Sequence, residues 1–248
     1  MKTVYIKNRI LISILYLIFN IVLDAGGTSY SQSKNPDEII KKVKEEFNKI
    51  KDYEVDVHIK IDVEFLKAPE TEAKLFFKQP DKIHIESQKF AMLPREGLNF
   101  SPIGLLNEKY TALYEREDTI GNLPTSVVKI IPIGNDNDII LTTLWIDQSR
   151  NVIRKVESSK KPTGTFTIEF NYEKYDDTYY LPSLTVFSFT VDRTRFLKGM
   201  DGQLESGDKD NLKKSRTLTG KVFLSYKNYK INQNLPDELF KEKESKPQ

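Results

Sequence analysis

The side chains able to do chemistry are few and scattered along the chain. Among 248 residues there are two histidines and no cysteine, which excludes disulfides, zinc–thiolate sites and a cysteine nucleophile. His58 falls on the polar side of an alternating stretch, and His84 sits between Ile83 and Ile85. Two strand histidines could meet over a metal, but solitary surface histidines are commoner, and no H-E-x-x-H pattern occurs. No metal and no cofactor is expected. "GNDND" places Asp136 and Asp138 two apart, yet the downstream bidentate glutamate of a calcium loop is missing, so it reads as a hairpin turn. Asp176 and Asp177 stand in a turn-like stretch, where nothing would raise a carboxyl toward general-acid use. With no G-x-S-x-G elbow and no P-loop, no catalytic residue is assigned and no enzyme is expected.

The charge balance narrows the partners. Thirty-eight Lys and Arg face 36 Asp and Glu, for a formal charge of +2. Nucleic-acid binders usually concentrate basic residues on one face, so none is expected here. Residues 1–33 read as a cleavable signal peptide. Lys2, Lys7 and Arg9 precede the apolar run Ile10 to Leu23, and small residues from Ala25 to Ser33 offer cleavage points. The expectation is an exported, periplasmic protein with one domain over 34–240 and a flexible tail over 241–248.

The elements that follow are mostly strands. "NPDEIIKKVKEEFNKIKDY" opens with Asn35 as a cap, Pro36 at the first helical position and Glu38 in capping-box spacing. Its Ile39, Ile40, Val43, Phe47 and Ile50 form a helical stripe running toward Tyr53. "YEVDVHIKIDVEFL" then alternates apolar and polar side chains over about twice a usual strand length. "EAKLFFKQ" and "KIHIESQK" flank Pro80-Asp81 as a hairpin. "KYTALYERE", "TSVVKIIPIG", "IILTTLWID", "VIRKVESS", "GTFTIEFNY", "LPSLTVFSFTV" and "SRTLTGKVFLSYKNYKI" continue the series. Short polar connections make such strands antiparallel, and roughly ten of them should curl. The class is therefore mainly β, of α+β type.

Two segments break this rhythm: "FAMLPREGLNFSPIGLLNE" (residues 90–108) and the polar, glycine-bearing stretch 198–215. Phe90, Met92, Leu93, Leu98, Phe100, Ile103, Leu105 and Leu106 are too many apolar groups for a solvated loop. They are expected to form a gate over an apolar trough, or a static plug completing the core. Alternation assigns Val57, Ile59, Ile61, Phe76, Ile85, Phe166, Phe170 and Phe187 to the wall of that trough.

Taken in order, "PDEIIKKVKEEFNKIKDYEVDV", "AKLFFKQPDKIHIES", "LWIDQSRNVIRKVE" and "FTIEFNYEKYDDTYYLPSLTVF" resemble the outer-membrane lipoprotein-sorting, or Lol-type lipoprotein carrier, superfamily (LolA/LolB-like). The resemblance implies an unclosed, curved antiparallel half-barrel wrapped over an N-terminal helix and a partly helical lid. It implies a hydrophobic cavity for lipid or lipoprotein acyl chains, a monomer, and hand-over through an inner- or outer-membrane protein. An envelope sensor acting through a protein partner is the alternative role within the superfamily. One departure is that "FFKQPDKIHIES" holds no arginine, whereas the studied carriers rely on one near the equivalent strands.

Overall fold

The computed structural model describes residues 34–63, 69–87, 104–106, 109–134, 139–160, 164–192 and 217–241. The expected signal peptide, the "GNDND" carboxylates, the stretch 198–215 and nearly all of the C-terminal tail lie outside them. From Asn35 onward the chain forms one unit. Among the described residues no helix is long and apolar enough to cross a membrane.

Helix α1 (Pro36–Phe47) starts at the expected cap. Asn35 Oδ1 accepts the Asp37 N–H at 3.0 Å, Pro36 opens the helix, and Asp37 and Glu38 lie in the first turn, beside the positive end of the helix dipole. The helix ends earlier than its stripe suggests, with Asn48 as C-cap. Ile50 leaves the stripe and packs with Leu181 and Ile231 in a small core of its own.

Ten strands follow: β1 (Asp52–Val63), β2 (Thr71–Lys78), β3 (Lys82–Glu86), β4 (Tyr110–Ile120), β5 (Leu123–Pro132), β6 (Ile139–Asp147), β7 (Ile153–Lys160), β8 (Gly164–Tyr175), β9 (Tyr179–Asp192) and β10 (Thr217–Ile231). Two 3₁₀ turns, η1 (Gly104–Leu106) and η2 (Asp237–Phe240), complete the described elements. All strands join one antiparallel sheet in the order β3-β2-β1-β10-β9-β8-β7-β6-β5-β4. Among the described residues β3 and β4 are therefore the edge strands.

Several carboxylates have structural roles in turns and ion pairs. Asp176 and Asp177 have φ of 47° and 49°, a left-handed conformation that Asp tolerates in tight turns. Asp147 is fully buried, and its Oδ1 accepts from the Ser149 N–H at 2.8 Å, the Ser149 hydroxyl at 2.7 Å and the Arg150 N–H at 3.0 Å. That carboxylate closes the β6–β7 turn. Asp237 pairs with Lys78 at 2.8 Å and Lys82 at 3.0 Å, tying η2 to the β2–β3 hairpin. The two lysines pull its carboxyl down to about 2.

The sheet is curled, and α1 shows by how much. Phe47 packs edge-on against Phe77 of β2 with ring centroids 5.6 Å apart, and Lys44, one turn earlier, stands 5.5 Å from the Tyr110 ring of β4. β2 is second and β4 tenth in the sheet order. On a flat sheet, at ~4.8 Å per strand, they would lie about 38 Å apart. A helix about 10–12 Å thick can touch both within one turn only if the sheet folds around it. Bulges in the β1–β10, β4–β5, β6–β7 and β8–β9 pairings supply bend and twist.

Two adjoining cores fill the concave side. Ile40 and Val43 of α1 join Leu106, Val128, Ile130, Leu144, Ile146, Val156 and Ile168 in one. Val55, Val57, Ile59, Leu75, Phe77, Val222 and Leu224 make the other, and Phe47 and Phe187 pack against both. Gly220 shows how tight the wall is. A Cβ there would lie 2.5 Å from Phe189 Cζ and 2.7 Å from Val63 Cγ2. Gly220→Ala should therefore destabilise the fold by about 1–3 kcal/mol. Denaturant unfolding of Gly220→Ala against the Gly220→Ala/Phe189→Leu double variant checks this, since the smaller side chain should restore part of the loss.

Candidate functional site

Cross-strand register builds the inner wall in rows, because directly paired residues face the same side of a sheet. One row crosses eight strands: Ile61, Val222, Phe187, Ile168, Val156, Leu144, Val128 and Tyr114. It contains no charged group. The next row runs Ile59, Leu224, Thr185 and Phe170, apolar except at Thr185.

Seven of the eight residues assigned to the wall from alternation lie on this inner side. Val57, Ile59 and Phe170 are buried, while Ile61, Ile85, Phe166 and Phe187 are partly buried against the two cores. Phe76 is the exception and lies on the outer side, contrary to the expectation from alternation. β2 pairs Phe76 with Glu54 and His84, and its ring lies 5.9 Å from the His84 ring on the outer side. Phe77, one residue on, takes the interior place against Phe47 and Tyr53. With two phenylalanines in succession, alternation alone could not choose between them.

Of the residues assigned to the gate, Leu106 is the one whose side chain is described. It is buried beside Ile40 and Val43, and the Lys44 ammonium donates to its backbone carbonyl. Leu105 belongs to η1, but its side chain lies outside the described residues, as do Phe90, Met92, Leu93, Leu98, Phe100 and Ile103 entirely.

Between α1 and the wall lies a cavity of about 140 Å³, lined among others by Val43, Phe47, Tyr53, Leu75, Phe77, Phe170, Thr185, Tyr226 and Tyr229. Ligand sites usually run to about 300–1,000 Å³. Ile40 and Val43 of α1 and Leu106 of η1 pack into the core on this side. Of the eight predicted wall residues, Phe170 is the one that lines this space. Sequence reasoning missed Thr185, Tyr226 and Tyr229, although the alternation through Leu224 and Tyr226 on β10 carried the signal for Tyr226.

Most of the cavity's polar side chains are hydroxyls. Burial pushes the phenols of Tyr53, Tyr172 and Tyr229 well above their ordinary range and raises Tyr226 to about 12. All stay neutral at physiological pH. Tyr172 donates to the Ile153 carbonyl at 2.9 Å and Tyr229 to the Pro182 carbonyl at 2.8 Å. Thr185 is close enough to Tyr226 to offset part of its rise, yet Thr185 Oγ1 is buried without a well-formed hydrogen bond. Arg154 approaches from the β7 bulge. Its Nε is also buried and unpartnered, and its charge opposes the rise at Tyr172.

The outer face is a different surface. An open depression of about 1390 Å³ there is lined by Asp56, His58, Glu70, Glu72, Lys74, His84 and Lys227 among others. Its charges are largely paired: Lys74 contacts Glu54 at 2.6 Å and Asp56 at 3.1 Å. His58 Nδ1 lies 2.7 Å from Glu72 and its Nε2 2.9 Å from Glu70, while His84 contacts Glu86 at 3.5 Å. Among the described residues no three ligating side chains cluster as a metal site would require. Trp145 also points outward, donating to Asp118 at 3.0 Å with Lys155 over its ring.

The fold has solved counterparts. A structure described as an outer membrane lipoprotein-sorting protein domain from Vibrio parahaemolyticus matches over 83% of this chain and 97% of its own, with TM-score 0.54 and 11% identity. A DUF1329 family protein from Desulfovibrio piger matches over 84% and 98%, with TM-score 0.57 and 10% identity. A LolA superfamily protein from Nitrosomonas europaea matches over 84% and 98%, with TM-score 0.50 and 14% identity. No protein-family model and no curated protein matches the sequence. What is shared at such identities is the fold: this chain has the architecture of the LolA-superfamily structures, an unclosed antiparallel sheet curled over a helix.

The histidine geometry yields a pH prediction. Hydrogen bonds to Glu72, then Glu70, raise the His58 pKa above its ordinary value of 6.5. The folded state thus holds the proton more tightly than the unfolded chain. The added stability is complete below the unfolded value and is lost as pH rises through the folded one. The three side chains are exposed, so the effect on stability should stay within about 1 kcal/mol. An NMR titration should place the His58 midpoint above that of an unfolded peptide, and Glu72→Gln should lower it.

Proposed function

We propose that the protein binds a lipid or lipoprotein acyl chain along the inner face of its open sheet and carries it through the periplasm toward the outer membrane. The observation that carries this reading is the uncharged row from Ile61 to Tyr114, spanning eight strands on the concave side. The basic-then-apolar N-terminal sequence supports export, and the likeness to a structure described as lipoprotein-sorting supports the class of cargo. Binding of this kind needs no catalytic group. The chain acts as a monomer and passes its cargo to a membrane protein.

Magnitudes favour an exchange between helix and cargo. Ile40 and Val43 are the two fully buried side chains of α1, and burying each is worth about 1.5–3 kcal/mol. An acyl chain gains about 0.8 kcal/mol per buried CH₂, so ten methylenes contribute about 8 kcal/mol. A chain of ordinary lipid length can therefore replace the helix stripe against the wall. Shorter chains should bind poorly.

A second reading keeps the lipid site but makes the protein an envelope sensor acting through a protein partner. Leu113 and Ile131 favour it, being 48% and 38% exposed and diagonal neighbours on β4 and β5 at the free edge.

Native mass spectrometry of the purified protein, followed by lipid extraction, tests the proposal. The expected result is co-purified acyl lipid released by denaturation. A stoichiometric protein partner with no lipid would favour the sensor. Ile59→Asp, which places a charge in a side chain 2% exposed, should lose the lipid or fail to fold. A normally folded Ile59→Asp protein that retains lipid would show the wall to be misplaced.

A further inference from the structure

Thr185 does not suit its surroundings. It lies on the inner row between Leu224 and Phe170 and is 5% exposed, and its Oγ1 has no well-formed hydrogen bond although Tyr226 is close enough to be influenced by it. A buried hydroxyl left unpaired is destabilising by about 1–3 kcal/mol, whereas an apolar group of the same shape would carry no such penalty. The hydroxyl borders the interior cavity of about 140 Å³, and Tyr53 and Tyr226 border it too. Hydrogen-bonding side chains thus meet a space whose wall also includes Phe47, Leu75, Phe77 and Phe170.

The charges around that space restrict what can enter. Among the described lining residues there is no lysine or arginine. The one carboxylate is Glu46, already paired with Lys49 at 2.6 Å. A carboxylate or phosphate would find no cation among these lining residues, since Arg154 acts on Tyr172 from outside the lining, and its desolvation would be costly. A neutral carbonyl has two lone pairs to accept hydroxyl hydrogens and needs no cation. The volume resembles that of an apolar cavity of about 150 Å³ known to admit benzene, room for an ester and its nearest carbons.

We infer that this cavity is the subsite for the neutral acyl carbonyl, ester or amide, of the bound chain, with Thr185 as its hydrogen-bond donor and Tyr226 beside it. The inference rests on the acyl-chain reading above. It adds which atom of the cargo is recognised and fixes the direction of the chain, whose methylenes run from Phe170 toward Phe187 and Ile61.

Calorimetric titration of the full-length chain with methyl laurate, laurate and dodecane, each delivered from cyclodextrin, tests it. Methyl laurate should bind about tenfold more tightly than dodecane, the value of one hydrogen bond, and more tightly than laurate. Thr185→Val should abolish the preference for the ester, leave dodecane affinity unchanged and raise the melting temperature of the ligand-free chain. Thr185→Ser, which keeps the hydroxyl, should retain the preference if Thr185→Val proves insoluble. Equal affinity for methyl laurate and dodecane, tightest binding of laurate, or an ester preference that survives Thr185→Val would overturn the inference and leave acyl-chain binding standing. Failure of all three probes to bind would overturn both.

Discussion

Phe47 of α1 packs on β2, and Lys44, one turn before it, reaches β4. These strands stand at nearly opposite ends of a ten-strand order. That pair of contacts fixes the curl of the sheet, and the curl determines the rest. Ten strands with one apolar face expose more surface than a twelve-residue helix can cover when the sheet is flat. Rolling the sheet over the helix removes the excess from water and leaves a trough. The bulges and the close packing of Phe189 over Gly220 accommodate the bend.

The same curl separates two kinds of chemistry. Carboxylates, ammonium groups and both histidines lie on the outer side of β1, β2, β3 and β10, where water and ion pairs satisfy them. Among the described residues the inner side keeps mostly aliphatic and aromatic groups with a few hydroxyls, Arg154 approaching at the β7 bulge. Charge inside would be too costly without partners, and hydroxyls are the polar groups that a largely dry trough can tolerate.

Much of this was legible in the sequence, because strand alternation is a strong signal when one face is buried. "IILTTLWID" became β6 without adjustment, and the strand beginning at Thr217 ends at Ile231 as its pattern indicated. The helix cap at Asn35 was equally plain. Alternation failed where it was locally degenerate, at Phe76-Phe77. It also overlooked Thr185, since a threonine in a strand is unremarkable until its neighbours in register are known. The early end of α1 depends on Ile50 meeting Leu181 and Ile231, contacts distant in sequence that no local pattern contains.

The central claim is that the acyl chain lies inside the curl, and methyl NMR with a spin-labelled fatty acyl ester tests it most directly. Isoleucines report both surfaces: Ile59, Ile61 and Ile168 belong to the inner rows, while Ile131, Ile133 and Ile140 are exposed. The account predicts strong paramagnetic broadening of the Ile59, Ile61 and Ile168 methyls, with the exposed set little changed. Broadening confined to Ile131, Ile133 and Ile140, with sharp inner methyls, would place the lipid on the outside and contradict it.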